Sequence, residues 1–178
     1  MSLDRGRGVL SGDVPDTEPA TARMNHPGPG PLDDEPDIVL RDAGPGDRNF
    51  ILDSWLRSLR QDVRAPAQLF YGHYRPLVTR LLDSGRARVH LAVDGADPDY
   101  IASWLCATNE GDSWVCAVHY AFTKNVFRGF GLCRRLLGRA HLAESDPIDY
   151  TAPGSTAEKL AEKFRAANYV PLEKWLES

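Results

Sequence analysis

The sequence has little cysteine and no long apolar run, and these absences exclude several classes of protein. Its three cysteines, Cys106, Cys116 and Cys133, form no C-x-x-C pair, so neither a disulfide framework nor a zinc site of the usual spacing is expected. No apolar stretch approaches the roughly 20 residues of a membrane-spanning helix, and the N-terminus lacks the apolar core of a signal peptide. We therefore expect a cytoplasmic protein without a metal and without membrane contact.

The chain also lacks an excess of positive charge. Lysine and arginine number 21 against 25 acidic residues, which gives a formal net charge of −4 at pH 7. Such a balance argues against a broad electrostatic contact with nucleic acid or with an anionic membrane. A local basic patch remains in the second half of the chain, at Arg128, Arg134, Arg135 and Arg139. The phosphates of a bound cofactor are enough to explain this patch.

Large apolar side chains are nearly absent from the first 36 residues. Met1–Pro36 consists mostly of small, polar and acidic residues together with glycine and proline. Such a segment cannot bury enough apolar surface to offset the entropy of ordering. We therefore predict a disordered arm over residues 1–36 and one globular domain over residues 37–178, a usual domain size.

The most informative stretch is Val115–Leu137. Its first part, Val115–Thr123, is rich in β-branched and aromatic residues and predicts a buried strand. Two glycines, Gly129 and Gly131, then lead into a basic amphipathic helix. A helix N-terminus offers unpaired N–H groups and a partial positive charge, and glycine lets an anion approach them closely. The turn therefore predicts a phosphate-binding site.

The spacing of the glycines limits the identity of the phosphate ligand. Gly131 is followed by Leu132 and Cys133 instead of Lys and Ser or Thr, which excludes a Walker-type loop, and a dinucleotide fingerprint needs a third glycine. The run Arg128-Gly129-Phe130-Gly131-Leu132-Cys133 resembles the R/Q-x-x-G-x-G/A loop of the GNAT superfamily of acyl-CoA-dependent N-acyltransferases, with cysteine in place of the final small residue. The resemblance implies acetyl-CoA as co-substrate, with its pyrophosphate bound by Arg128, Gly129, Phe130, Gly131, Leu132 and Cys133.

The order of the predicted elements also matches this superfamily. Hydrophobic periodicity predicts the order β-αα-βββ-α-β-α-β, which is that of an α/β protein. The resemblance implies the mixed, twisted sheet of the GNAT fold, in which two neighbouring parallel strands splay apart. The stretch Asn49–Arg60 and the strand before the glycines are similar to small GNAT-like proteins of tailed bacteriophages. Before the central strand we expect a strand at Ile38–Arg41, a helix over Arg48–Asp62 capped by Asp47, and a helix over Ala67–Leu82 with a kink or new turn at Pro76. A hairpin of Arg88–Val93 and Tyr100–Thr108 then leads to the central strand. After the basic helix we expect a strand at Ile148–Thr151, a helix capped by Ser155, and a last strand over Tyr169–Trp175.

The resemblance implies a mechanism centred on the strand before the loop. The backbone around Phe122 and Thr123 would bind the pantetheine arm and polarise the thioester carbonyl. A general base must remove a proton from the attacking amine. His119 has a suitable intrinsic pKa and lies on the face of Thr123 if the strand alternates regularly, although a structural histidine is the alternative. The other base candidates are Tyr120, expected on the opposite face, and two carboxylates acting through water, Glu110 and Asp112.

The general acid and the acceptor are less defined. Many family members have a tyrosine where this chain has Phe164, which cannot donate a proton. The first function hypothesis is an N-acetyltransferase that acts on a primary amine of a small molecule, peptide or protein, as a monomer or homodimer. The alternatives are a non-catalytic acyl-CoA-binding module and a GNAT-like enzyme that modifies nucleic-acid bases, which the acidic charge disfavours.

Overall fold

The structure, a computed structural model, describes residues 36–109 and 116–177. The predicted arm lies outside these residues apart from Pro36, and so do Val115, Glu110 and Asp112, so the expectations for them stay predictions. In the described part of the chain, no helix is long and apolar enough to cross a membrane.

A mixed six-stranded sheet forms the centre of the domain. Strands β1 to β4 pair antiparallel, and β4, β5 and β6 pair parallel. The predicted mixed α/β sheet is therefore confirmed. The strands are β1 (Ile38–Asp42), β2 (Arg88–Asp94), β3 (Ile101–Asn109), β4 (Cys116–Thr123), β5 (Pro147–Tyr150) and β6 (Ala166–Tyr169).

Helices cover both faces of this sheet. One apolar cluster joins α1, α2 and α5 to one face through residues such as Trp55, Leu81 and Trp175. The other joins α3 to the opposite face through residues such as Leu132 and Leu136. The sheet therefore lies between two separate cores. The helices are α1 (Arg48–Asp62), α2 (Ala67–Asp83), α3 (Leu132–Arg139), α4 (Ser155–Ala161) and α5 (Leu172–Glu177).

The first two helices form where the periodicity predicts them, but two local details differ. Asp47 does not cap α1 with its side chain. Its carboxylate instead accepts the Gly44 N–H at 2.7 Å and two bonds from Arg41 at 2.7 and 2.9 Å, which ties β1 to the following turn. Helix α2 runs through Pro76 as one element, so no new helix starts there.

The predicted last strand over Tyr169–Trp175 is wrong. Strand β6 ends at Tyr169, and α5 follows from Leu172. Pro171 favours this change because its fixed φ suits a first helical turn and it has no N–H to donate to a sheet. Leu172 and Trp175 are buried three residues apart, which is a helical period. The predicted cap of α4 is also wrong, because Gly154 and not Ser155 occupies the cap position.

The packing of α5 predicts a large effect of Trp175→Ala. Trp175 is 2% exposed, its ring lies 4.4 Å from the His119 ring, and the Arg86 guanidinium lies 4.4 Å from its centroid. Truncation should lower the free energy of unfolding by about 3–5 kcal/mol, measured by urea denaturation, because it leaves a cavity between α5 and the sheet. The exposed Glu177 on the same helix provides a control, since Glu177→Ala should change it by less than about 0.5 kcal/mol. Equal small losses for both variants would contradict this packing.

Candidate functional site

The central feature of the site is the early separation of β4 from β5. These strands pair only at Ala117 with Asp149 and Val118 with Tyr150, followed by one bond from the Thr151 N–H to the Val118 carbonyl at 3.2 Å. Strand β4 continues to Thr123, so its edge beyond Val118 has no β5 partner. A cleft of about 570 Å³ occupies the gap. The structure thus contains the splayed parallel strands that the resemblance predicted.

The walls of the cleft come from both helical layers. Strand β4 contributes every residue from 118 to 123, and β5 contributes Ile148 and Tyr150. Helix α1 adds a polar wall at Ser54, Ser58, Gln61 and Asp62, and the turn before α3 adds Arg128. Because α1 and α3 cover opposite faces of the sheet, the cleft passes between the strands from one face to the other.

The glycine turn has the backbone that the sequence predicts. Gly129 and Gly131 have φ angles of 96° and 70°, a region that glycine adopts without strain. A Cβ at either position would meet nothing within 4 Å, so the approach to the backbone is open. Gly131 occupies the N-cap of α3, where the first helical N–H groups have no intrahelical acceptor. The turn therefore presents free donors to an anion.

The predicted cofactor residues divide into two groups. Phe122, Thr123, Arg128 and Cys133 line the cleft. Leu132 is 2% exposed and packs in the α3 core, against which Phe130 also packs. Leu132 and Phe130 can therefore serve a ligand mainly through their backbone.

The basic lining of the cleft differs from the predicted patch. Arg134 pairs with Glu144, Arg135 donates to the Ile38 carbonyl, and Arg139 contacts Asp42. Three lysines that the sequence did not single out line the cleft together with Arg128. They are Lys124, Lys159 and Lys163. The spacing of four residues between Lys159 and Lys163, which places both on one helical face, was the available signal.

His119 lies in the cleft wall but is fully buried. Its Nε2 lies 3.0 Å from the Thr108 hydroxyl, and its Nδ1 lies 3.1 Å from the Thr151 hydroxyl. Burial, with a smaller effect of the Arg86 charge, lowers the pKa of His119 to about 3. The ring is therefore neutral at physiological pH and is a weak base. These contacts favour the structural alternative, and the base role stays a prediction.

A β-bulge changes the expected orientation of Tyr120. Cys106 pairs with Tyr120 and Ala107 with Val118, so His119 has no partner on β3. His119 contacts Trp175, and Tyr120 stacks on Trp55 with centroids 5.1 Å apart. Both partners belong to the α1–α2–α5 core. The expectation that His119 and Tyr120 point to opposite faces is therefore wrong.

The same bulge separates His119 from Thr123. Ala121 packs in the α3 core, and Thr123, two residues later on the same strand, shares its face. The expected common face of His119 and Thr123 is therefore wrong as well, because regular alternation does not continue through a bulge.

Tyr120 keeps its phenol proton in the cleft. Its hydroxyl lies 2.8 Å from the Ser58 hydroxyl, and burial raises the pKa of Tyr120 to about 12. A phenol with this pKa stays protonated at neutral pH, so it holds a proton to donate and cannot take one. These surroundings argue against Tyr120 as the base and leave the acid role open to it.

Phe164 and two thiols are not suited to proton transfer or covalent chemistry here. Phe164 is 7% exposed and packs in the α3 core. Burial raises the pKa of the Cys133 thiol, which lines the cleft, and of the buried Cys106 thiol. Protonated thiols are poor nucleophiles, so these groups do not favour a covalent acyl-cysteine route.

Comparison with known proteins supports the fold. The structure is similar to that of a candidate acetyltransferase from Pyrococcus furiosus, at 15% identity over 79% of this chain and 89% of that chain, with a TM-score of 0.50. The chain therefore has the GNAT fold. No protein-family model and no curated protein matches the sequence.

Two further acetyltransferase structures match with lower TM-scores. One is a predicted acetyltransferase from Clostridium acetobutylicum with acetyl-CoA, at 13% identity over 71% of this chain and 87% of that chain, with a TM-score of 0.48. The other is a GNAT family N-acetyltransferase from Escherichia coli in complex with CoA, at 18% identity over 61% of this chain and 56% of that chain, with a TM-score of 0.42. At such identities the likeness concerns the fold alone.

The depressed pKa of His119 predicts an acid-sensitive fold. The unfolded state binds a proton near the ordinary pKa of 6.5, whereas the folded state does so only near 3. The free energy of unfolding should therefore fall as pH drops below 6.5, by up to about 1.4 kcal/mol per pH unit. Between pH 6.5 and 4.5, the free energy of unfolding of His119→Asn should fall by about 2 kcal/mol less than that of the native protein, measured by urea denaturation.

His141 provides the control for this experiment. It is exposed and has a φ of 56°, a conformation that asparagine tolerates. His141→Asn should keep the acid dependence of the native protein. An unchanged acid dependence in His119→Asn would mean that His119 titrates with an ordinary pKa and is accessible to water in the folded protein.

Proposed function

We propose that this protein is an N-acyltransferase that transfers an acetyl group from acetyl-CoA to a primary amine of a small molecule, peptide or protein. The observation that carries the proposal is the cleft between β4 and β5, with an unpaired strand edge on one wall and a glycine turn at the N-terminus of α3. An elongated ligand with amides along its arm and phosphates at one end matches both features.

The turn and the lysines would hold the phosphates of CoA. The backbone N–H groups after Gly129 and Gly131 face an approach that no side chain blocks, and the helix dipole favours an anion there. Arg128, Lys159 and Lys163 add positive charge along the same cleft. This local positive charge stands out in a chain whose net charge is −4.

The exposed edge of β4 would hold the pantetheine arm. Amides of an extended ligand can hydrogen-bond to an unpaired strand edge as an added strand does. The residues after the bulge, Phe122 and Thr123 among them, provide this edge. A backbone N–H of the same edge would polarise the thioester carbonyl.

In the reaction, the neutral amine nitrogen attacks the thioester carbonyl carbon, so that a C–N bond forms and the C–S bond breaks. The nitrogen loses one proton and the departing sulfur gains one. Tyr120 would supply the proton for the sulfur, since its phenol is protonated and lines the cleft. His119 and water in the cleft are candidates for the proton of the amine, and the weak basicity of His119 favours water.

One observation favours a second function, a non-catalytic acyl-CoA-binding module. The position at which many family members have an acidic tyrosine is held by the buried Phe164. A protein that bound acetyl-CoA tightly without releasing CoA in the presence of amines would have this function.

Binding of CoA should depend on the glycine turn. Gly131→Asp places a negative charge at the N-cap of α3, so we expect CoA affinity in calorimetry to fall about tenfold more than for the isosteric Gly131→Asn. Both substitutions place a side chain at the same left-handed backbone position, so the difference in their CoA affinities reports the effect of the charge.

Gly85 controls for strain in this experiment. Gly85 has a φ of 71° and open space around its Cα, as Gly131 does. Gly85→Asp should keep full CoA affinity. If Gly131→Asp and Gly131→Asn bound CoA with equal affinity, the pyrophosphate would not lie at this turn.

Turnover should depend on the Tyr120 hydroxyl. Tyr120→Phe removes the proposed acid and keeps its ring packing, so kcat for CoA release should fall by about 10²-fold with acetyl-CoA affinity nearly unchanged. A thiol-release assay with 1,4-diaminobutane and n-butylamine measures this. Ser58→Ala keeps the phenol and should cost much less. Unchanged kcat in Tyr120→Phe would assign proton transfer to solvent.

A further inference from the structure

The charges that line the cleft are unevenly distributed. Its cationic side chains are those of Lys124, Arg128, Lys159 and Lys163. Among the described residues of the lining, Asp62 is the single carboxylate. Asp62 is exposed within this lining, so its carboxylate is accessible to a ligand in the cleft.

Asp62 lies on the opposite face of the sheet from the glycine turn. It is the last residue of α1, one turn after Ser58, whereas the turn precedes α3. These helices belong to different cores. A Cβ built on Gly154 would lie 2.8 Å from the Cβ and 3.1 Å from Oδ2 of Asp62. The carboxylate therefore lies over the connection between β5 and α4, at the face where an acceptor would enter.

The surroundings of Asp62 favour a cation. The C-terminus of a helix has a partial negative charge, and Asp62 adds a full one at the end of α1. Within residues 36–109 and 116–177, no ion pair neutralises Asp62. Arg57 pairs with Asp53, and the Arg60 guanidinium lies over the Tyr71 ring.

The two tyrosine rings of the cleft are engaged with other rings. Tyr120 stacks on Trp55, and the Tyr150 and Tyr169 ring centroids lie 5.4 Å apart, so Asp62 is the group of this lining that suits an ammonium ion. The amine that attacks the thioester must be neutral. A protonated amine at Asp62 is therefore a second nitrogen of the acceptor and not the reacting one.

We infer that Asp62 binds this second ammonium group, so that the acceptor is a linear diamine or polyamine. The inference rests on the proposed function, because it assumes that CoA occupies the end of the cleft with the glycine turn. The volume of about 570 Å³ must also hold the pantetheine arm, which leaves room for an unbranched chain.

The test compares a diamine with a monoamine of equal length. Calorimetric titration of the CoA-saturated protein should show 1,4-diaminobutane binding about fivefold more tightly than n-butylamine, which is the upper range for one exposed ion pair. In Asp62→Asn this ratio should fall to about two or less, with CoA affinity unchanged. Asp53→Asn removes a carboxylate of the same helix that is exposed, as Asp62 is, but does not line the cleft, and it should keep the fivefold ratio.

The outcomes separate this inference from the proposed function. Intact CoA binding with equal affinities for the two amines, or with a ratio unaffected by Asp62→Asn, would overturn the diamine inference alone. Absence of CoA binding by the native protein would overturn both. Loss of the preference in Asp53→Asn as well as Asp62→Asn would assign it to the general negative charge of α1 and overturn the specific role of Asp62.

Discussion

The site depends on one constraint, that β4 and β5 pair over only two residue pairs. Continued pairing would close the sheet and satisfy the β4 edge with backbone partners. The separation instead leaves hydrogen-bonding groups next to a cleft that reaches both faces of the sheet. The β-bulge at His119 lies immediately after the last pair, and a bulge increases the local twist and bends its strand. The bulge therefore directs β4 away from β5.

The buried His119 connects the strands at this point. Its ring nitrogens contact Thr108 at the end of β3 and Thr151 just after β5, so one side chain spans three neighbouring strands. An unsatisfied buried imidazole would be costly, and two hydroxyls that can each donate or accept remove that cost. Among the described residues, no buried side-chain nitrogen or oxygen lacks a hydrogen-bond partner. The three strands are thus joined by a fully satisfied polar contact at the point where β4 and β5 begin to separate.

Most of the fold follows from local periodicity, and the departures have identifiable causes. The bounds of α1 match the prediction because Ile51, Trp55 and Leu59 recur at helical spacing. The bulge could not be predicted, because it depends on which residues of β3 oppose β4, and strand register is a long-range property. The lining role of Asp62 was missed for the same reason, since the close approach of α1 to the β5–α4 connection leaves no sequence signal.

The two ends of the cleft use the backbone in opposite ways. The N-terminus of α3 presents free N–H groups next to basic side chains, and the C-terminus of α1 presents a negative dipole next to Asp62. Tyr120 also lines the cleft, and its ring is fixed by stacking on Trp55 and by Trp104, whose ring centroid lies 5.6 Å away. Under the proposed function, a phenol fixed in this way would need little reorganisation to donate its proton. The opposed helix termini would then orient the two substrates by charge, while the aromatic core holds Tyr120 in place.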